Sequence, residues 1–61
     1  MPIVQIELME GRTTEQKRTL VEKVTQAIVE SVGAPAENVM IIIRDMPKEN
    51  FSKAGRLECD K

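Results

Sequence analysis

Val39-Met40-Ile41-Ile42-Ile43, followed by Arg44-Asp45 and then Met46-Pro47, is the stretch on which the fold turns. It is a short, unbroken apolar run rich in β-branched side chains, which favours a strand over a helix. A strand without polar alternation is the pattern of one covered on both faces, as in parallel sheets. Just upstream stand Gly33 and Pro35. Glycine accepts the left-handed backbone past the last helical turn, and proline cannot continue a helix. Before them Leu20, Val21, Val24, Ala27, Ile28 and Val32 recur at steps of three and four, which predicts an amphipathic helix with one apolar stripe. Thr13 and Gln16 have the spacing of a capping box at its start. Lys17, Arg18, Glu22, Lys23 and Glu30 read as its solvated side.

Further toward the N-terminus, Val4, Ile6 and Leu8 alternate with Gln5 and Glu7, a period of two that predicts a strand from Ile3 to Met9. Glu10-Gly11-Arg12 reads as the turn that ends it. In the other direction, Phe51 and Leu57 flank Ala54-Gly55, which predicts a small hairpin. The fold class is therefore α/β: a β-α-β unit with parallel strands and a short C-terminal hairpin. Such crossovers are nearly always right-handed. Two strands do not make an independently stable sheet. Dimerisation is expected to complete the sheet to four strands.

Length and composition point the same way. Residues 1–61 allow one domain, and so short a domain is marginal without disulfides, a metal or oligomerisation. Cys59 is the single cysteine and there is no histidine, so a disulfide and an ordinary zinc site both lack their ligands. Phe51 is the only aromatic residue, which leaves the core to aliphatic side chains. A homo-oligomer is the remaining remedy. The net charge of −1, without a basic stripe, excludes a nucleic-acid partner. No apolar run is long enough to cross a membrane. No signal-peptide pattern precedes the first strand, and a lone free cysteine suits a reducing compartment, so the expected location is cytoplasmic.

Most catalytic constellations are absent: without histidine there is no triad and no Cys–His pair, and there is no glycine-rich phosphate loop. Pro2 remains. Removal of Met1 would leave its nitrogen a secondary amine rather than an amide. A free α-amino group titrates near ~7.7–8.0, and an apolar pocket or a neighbouring cation lowers that value. Such a base can take a proton next to a carbonyl and return it elsewhere. The plain alternative is a strand-initial proline without chemistry. Arg12 has the forked donors to bind a carboxylate; alternatively it is a solvated turn residue. Phe51 can wall an active site or serve as core.

Taken together, these residues resemble the 4-oxalocrotonate tautomerase family. The likeness lies in Pro2-Ile3-Val4-Gln5-Ile6, Glu10-Gly11-Arg12, Glu15-Gln16-Lys17, Ala34-Pro35, Ile41-Ile42-Ile43, Met46 and Phe51, and it covers nearly the whole chain. It implies a cofactor-free keto–enol isomerase, a hexamer built as a trimer of dimers, acting on dienols of unsaturated 2-oxo acids such as 2-hydroxymuconate. Pro2 takes the place of the family's general base, Arg12 that of the arginine on the distal carboxylate, and Phe51 that of the hydrophobic wall. The best-known members carry a second arginine, from a neighbouring subunit, where this chain has Met40. Arg44 and Arg56 are the candidates to compensate, although Arg44 lies about 13 Å further along the strand. The rival readings are hydration, dehalogenation or decarboxylation of a small unsaturated acid, and a non-catalytic oligomeric binding module of the same fold.

Overall fold

The computed structural model describes residues 1–60. Strand β1 runs from Ile3 to Met9, helix α1 from Thr14 to Val32, and strand β2 from Met40 to Met46. The two strands pair in parallel, Ile3 beside Met40 and Met9 beside Met46, so α1 is the crossover that a parallel pair demands. A second, antiparallel pair, β3 (Ser52–Lys53) and β4 (Arg56–Leu57), forms the C-terminal hairpin. Ala54 and Gly55 make its turn with φ of 55° and 80°, the left-handed backbone that such hairpins require. Single turns of 3-10 helix, which the sequence pattern does not announce, occupy Ala36–Asn38, Lys48–Asn50 and Glu58–Asp60.

The helix begins where its chemistry dictates. The Thr13 hydroxyl accepts from the Gln16 backbone N–H at 3.1 Å, and the Gln16 side chain accepts from the Thr13 N–H at 2.8 Å. Two otherwise orphan donors are satisfied. At the other end Gly33 has φ 77° and its N–H reaches the Val29 carbonyl at 3.1 Å. The stripe that faces the sheet differs in part from the sequence expectation. Leu20, Val21, Val24 and Ile28 are half-buried, joined by Thr25 and Val29, whereas Ala27 and Val32 are exposed.

Strand β2 also departs from expectation. It starts at Met40 rather than Val39 and continues through Arg44 and Asp45 to Met46, because every residue of β1 out to Met9 has a pairing partner there. Its two faces are unequal. Ile41 and Ile43 are half-buried toward the helix side, but Met40 and Ile42 keep 48% and 42% of their surface exposed. The expectation of burial on both faces fails within one chain, since α1 covers only one side of the sheet. Among the described residues none is fully buried, and none of the helices is long and apolar enough to cross a membrane.

The accessible surface of 4745 Å² exceeds the roughly 4000 Å² expected of a compact monomer of this mass. The surplus is close to the ~800 Å² that each partner hides in a standard interface. Local structure, by contrast, is tightly specified at the helix start. Thr13→Ala is expected to destabilise the chain by about 1 kcal/mol through loss of the cap, measured by urea unfolding at fixed protein concentration.

Candidate active site

The parallel pairing sorts the candidate residues to opposite ends of the sheet. At one end Pro2 precedes β1, half-buried, and its carbonyl accepts from the Met40 N–H at 3.0 Å. A proline here sacrifices no ladder bond, because it stands before the strand and has no N–H to offer. By the alternation of a strand, Pro2 shares the helix-covered face with Val4, Ile6 and Leu8. Met40, level with Ile3, belongs to the opposite, open face.

At the other end the chain turns through Gly11, whose φ of 119° suits glycine. The Glu10 N–H bonds to the Met46 carbonyl at 2.9 Å, and the Glu10 carboxylate accepts from the Lys48 N–H at 3.2 Å. These bonds pin the turn to the end of β2. Arg12 follows, directly before the helix cap. It lines a groove of about 250 Å³ with Leu8, Gln16, Lys17 and Leu20. The apolar walls come from the strand and the helix stripe; the polar groups come from the turn and the first helical turn.

Pro2 and Arg12 of one chain are thus not brought together. Seven residue steps from Pro2 to Met9 span ~23 Å, and Arg12 lies beyond that. Phe51 lies past the far end of β2, after the Lys48–Asn50 turn, 39% exposed. Its carbonyl accepts from the Glu58 N–H at 2.9 Å, which fastens the base of the hairpin. The candidate substitutes for a second arginine both have partners. Arg44 donates to Gln5 and to Glu7, each at 3.0 Å, across the open face of the sheet. Arg56 donates to the Asp60 carbonyl at 2.8 Å.

Lys17 is the residue that the sequence pattern misassigns. It stands half-buried at the border of the wet side; its ammonium donates to Asp45 at 2.6 Å, tying α1 to β2, and it shares the groove with Arg12. The overlooked signal is its spacing, three residues before Leu20 and four before Val21, at the border of the apolar stripe.

A larger groove of about 620 Å³ runs along α1, with Val21, Val29 and Ala36 on its floor and Glu22 and Glu30 at its rim. It offers an anion two carboxylates and no cation. For a small acid, charge outweighs volume, and the Arg12 groove is the better receptacle.

Known proteins resemble this chain over nearly its whole length. A family model described as tautomerase enzyme matches residues 2–57. The chain is 56% identical over 55 residues to a 2-hydroxymuconate tautomerase of Comamonas testosteroni, covering 90% of this chain and 87% of that one. Among solved structures, YwhB, a homologue of 4-oxalocrotonate tautomerase, superposes with a TM-score of 0.94 at 45% identity, covering 98% of each chain. A heterohexamer 4-oxalocrotonate tautomerase from Chloroflexus aurantiacus J-10-fl superposes with a TM-score of 0.92 at 28% identity, covering 98% and 97%.

Proposed function

Because the chain belongs to the tautomerase enzyme family, we propose that it ketonises dienols of small unsaturated 2-oxo acids, with Pro2 as general acid/base in a site shared between copies. That it is an isomerase of this family stands on the relatives; the proline, the substrate and the assembly are the proposal. One observation carries it. Pro2 and the Arg12 groove sit at opposite ends of β1 on the same face of the sheet, and among the described residues the outer edge of β1 is unpaired.

An antiparallel pairing of two β1 edges about Ile6 sets Ile3 opposite the partner's Met9 and Pro2 opposite the partner's Glu10. Directly opposed residues of an antiparallel pair share a face. Pro2 then stands at the mouth of the groove beside Arg12 of the partner subunit, twice per dimer. The same step yields a four-stranded sheet and uses up one exposed edge. Sheets assembled this way leave Ile3, Met40 and Ile42 uncovered, and association of dimers supplies the remaining cover. The Chloroflexus aurantiacus relative, described as a heterohexamer, supports an assembly of six, here proposed to be six copies of this chain.

The chemistry follows from the parts. With Met1 removed, the Pro2 amine is a secondary amine with a lone pair. It accepts the proton of the substrate's 2-hydroxyl, and the electron pair moves through the diene. A proton returned from the ammonium to the far carbon completes a 2-oxo acid with no net change in composition. Arg12 holds the distal carboxylate through its fork. Leu8 and Leu20, with Phe51 from a neighbouring copy, limit water and so keep the amine in its neutral, basic form. Met40 offers no charge at the position where the family resemblance implies a second arginine, so this position supplies a dicarboxylate no cation.

Three outcomes are expected. Light scattering at micromolar concentration gives about six times the subunit mass, and the thermal midpoint rises with protein concentration; a folded monomer would exclude the shared site. Pro2→Ala lowers kcat by roughly a hundredfold or more while the assembly and circular dichroism stay intact, provided that mass spectrometry finds Met1 removed in the parent. Unchanged turnover in that variant removes Pro2 as the base. Met40→Arg raises kcat/KM on 2-hydroxymuconate by about one to two orders of magnitude, since a charged hydrogen bond contributes ~1.5–3 kcal/mol and each ~1.4 kcal/mol is tenfold.

A further inference from the structure

A six-carbon dicarboxylate brings two negative charges, and the position expected to supply a second cation holds Met40. Arg44 is engaged by Gln5 and Glu7 on the open face, and Arg56 by the Asp60 carbonyl. Lys17 is different. It lies on the helix face and lines the same groove as Arg12. Its ammonium carries three donors, of which Asp45 takes one at 2.6 Å, and its side chain is still 30% exposed.

We propose that Lys17 is a specificity-determining residue: a second cation, beside Arg12, for the distal carboxylate of a dicarboxylate substrate, held in readiness by Asp45 and contested by it. This depends on the Arg12 groove being the substrate site proposed above. Asp45, 39% exposed, orients the ammonium toward the junction of α1 and β2. Its carboxylate also competes with the substrate's for the same donors and repels the incoming anion. An ion pair this accessible to water is weakly held, so an anion can share the lysine without a large penalty. The two members of the pair therefore act on the ligand in opposite directions. A purely structural tie would be broken equally by removing either partner.

The test is calorimetric titration with muconate, which carries both carboxylates but lacks the 2-hydroxyl and is not ketonised. Lys17→Met is expected to weaken binding on the order of tenfold, Asp45→Asn to tighten it about threefold, and Lys17→Arg to stay within about threefold of the parent. In steady-state assays the Lys17→Met effect falls on KM for 2-hydroxymuconate, with kcat nearly unchanged. KM for 2-hydroxypenta-2,4-dienoate, which lacks the distal carboxylate, does not move. Shifts of the two muconate affinities in the same direction, no shift in either, or no muconate binding by the parent would overturn the assignment. Should Lys17→Met fail to assemble, Asp45→Asn decides: tighter binding supports the role, and equal or weaker binding refutes it. If Pro2→Ala keeps full turnover while the two affinities still move apart, the proline reading falls and the carboxylate site stands.

Discussion

The parallel register of β1 on β2 is the constraint from which the rest of the molecule follows. A parallel pair cannot be closed by a tight turn, so the chain between the strands must cross the sheet, and α1 is that crossing. Once Ile3 is level with Met40 and Met9 with Met46, the beginning of both strands is one end of the molecule and the turn after β1 is the other. Pro2 is fixed at the first end. Arg12, the helix cap and Lys17 are fixed at the second. Separation of the proline from the arginine follows directly from this register.

The same register leaves a deficit. One helix covers one face of two strands, so among the described residues Ile3, Met40 and Ile42 on the other face remain open, as do both strand edges. Exposed apolar side chains and unpaired ladder groups are costly for an isolated chain. In larger proteins another layer of the same chain supplies the cover. The described residues supply no such layer, and in the proposed assembly association both covers that face and brings the two halves of the proposed site together. In that proposed assembly stability and catalysis share one solution: the edge that needs a partner is the edge across which the other half of the proposed site lies.

Electrostatics refines this picture rather than creating it. The charged side chains near the site are paired locally, Lys17 with Asp45 on the helix face and Arg44 with Glu7 on the open face. On a face awaiting cover, the Arg44–Glu7 pair presents little net charge, which spares an interface an unpaired ion. In the groove, the Lys17–Asp45 pair leaves Arg12 as the cation without a carboxylate partner among the described residues, the arrangement that the proposed anionic substrate needs. The larger groove along α1 is apolar with an acidic rim and does not compete for that substrate.

Much of this was legible in the residues themselves. The alternation of Val4, Ile6 and Leu8, the Thr13–Gln16 capping box, Gly33 and the Ala54-Gly55 turn all specify their structures through contacts within about four positions along the chain. The likeness of Pro2, Arg12 and Phe51 to a family pattern was legible for the same reason, since a motif is a local string. What the sequence could not disclose depends on partners far apart in it. Lys17 meets Asp45 across 28 positions, and Arg44 meets Gln5 and Glu7 across 39 and 37. Helical periodicity alone placed Lys17 in water and assigned Ala27 and Val32 to the stripe, because it cannot say where the sheet ends beneath the helix. The extension of β2 through Arg44 and Asp45 was hidden too, since charged residues carry little strand signal and only pairing with β1 holds them there. The sequence by itself determined the strands, the helix and their order. Which side chains share a groove and which end of the sheet each occupies was decided only by tertiary structure, because strand register is a long-range property that no local pattern encodes.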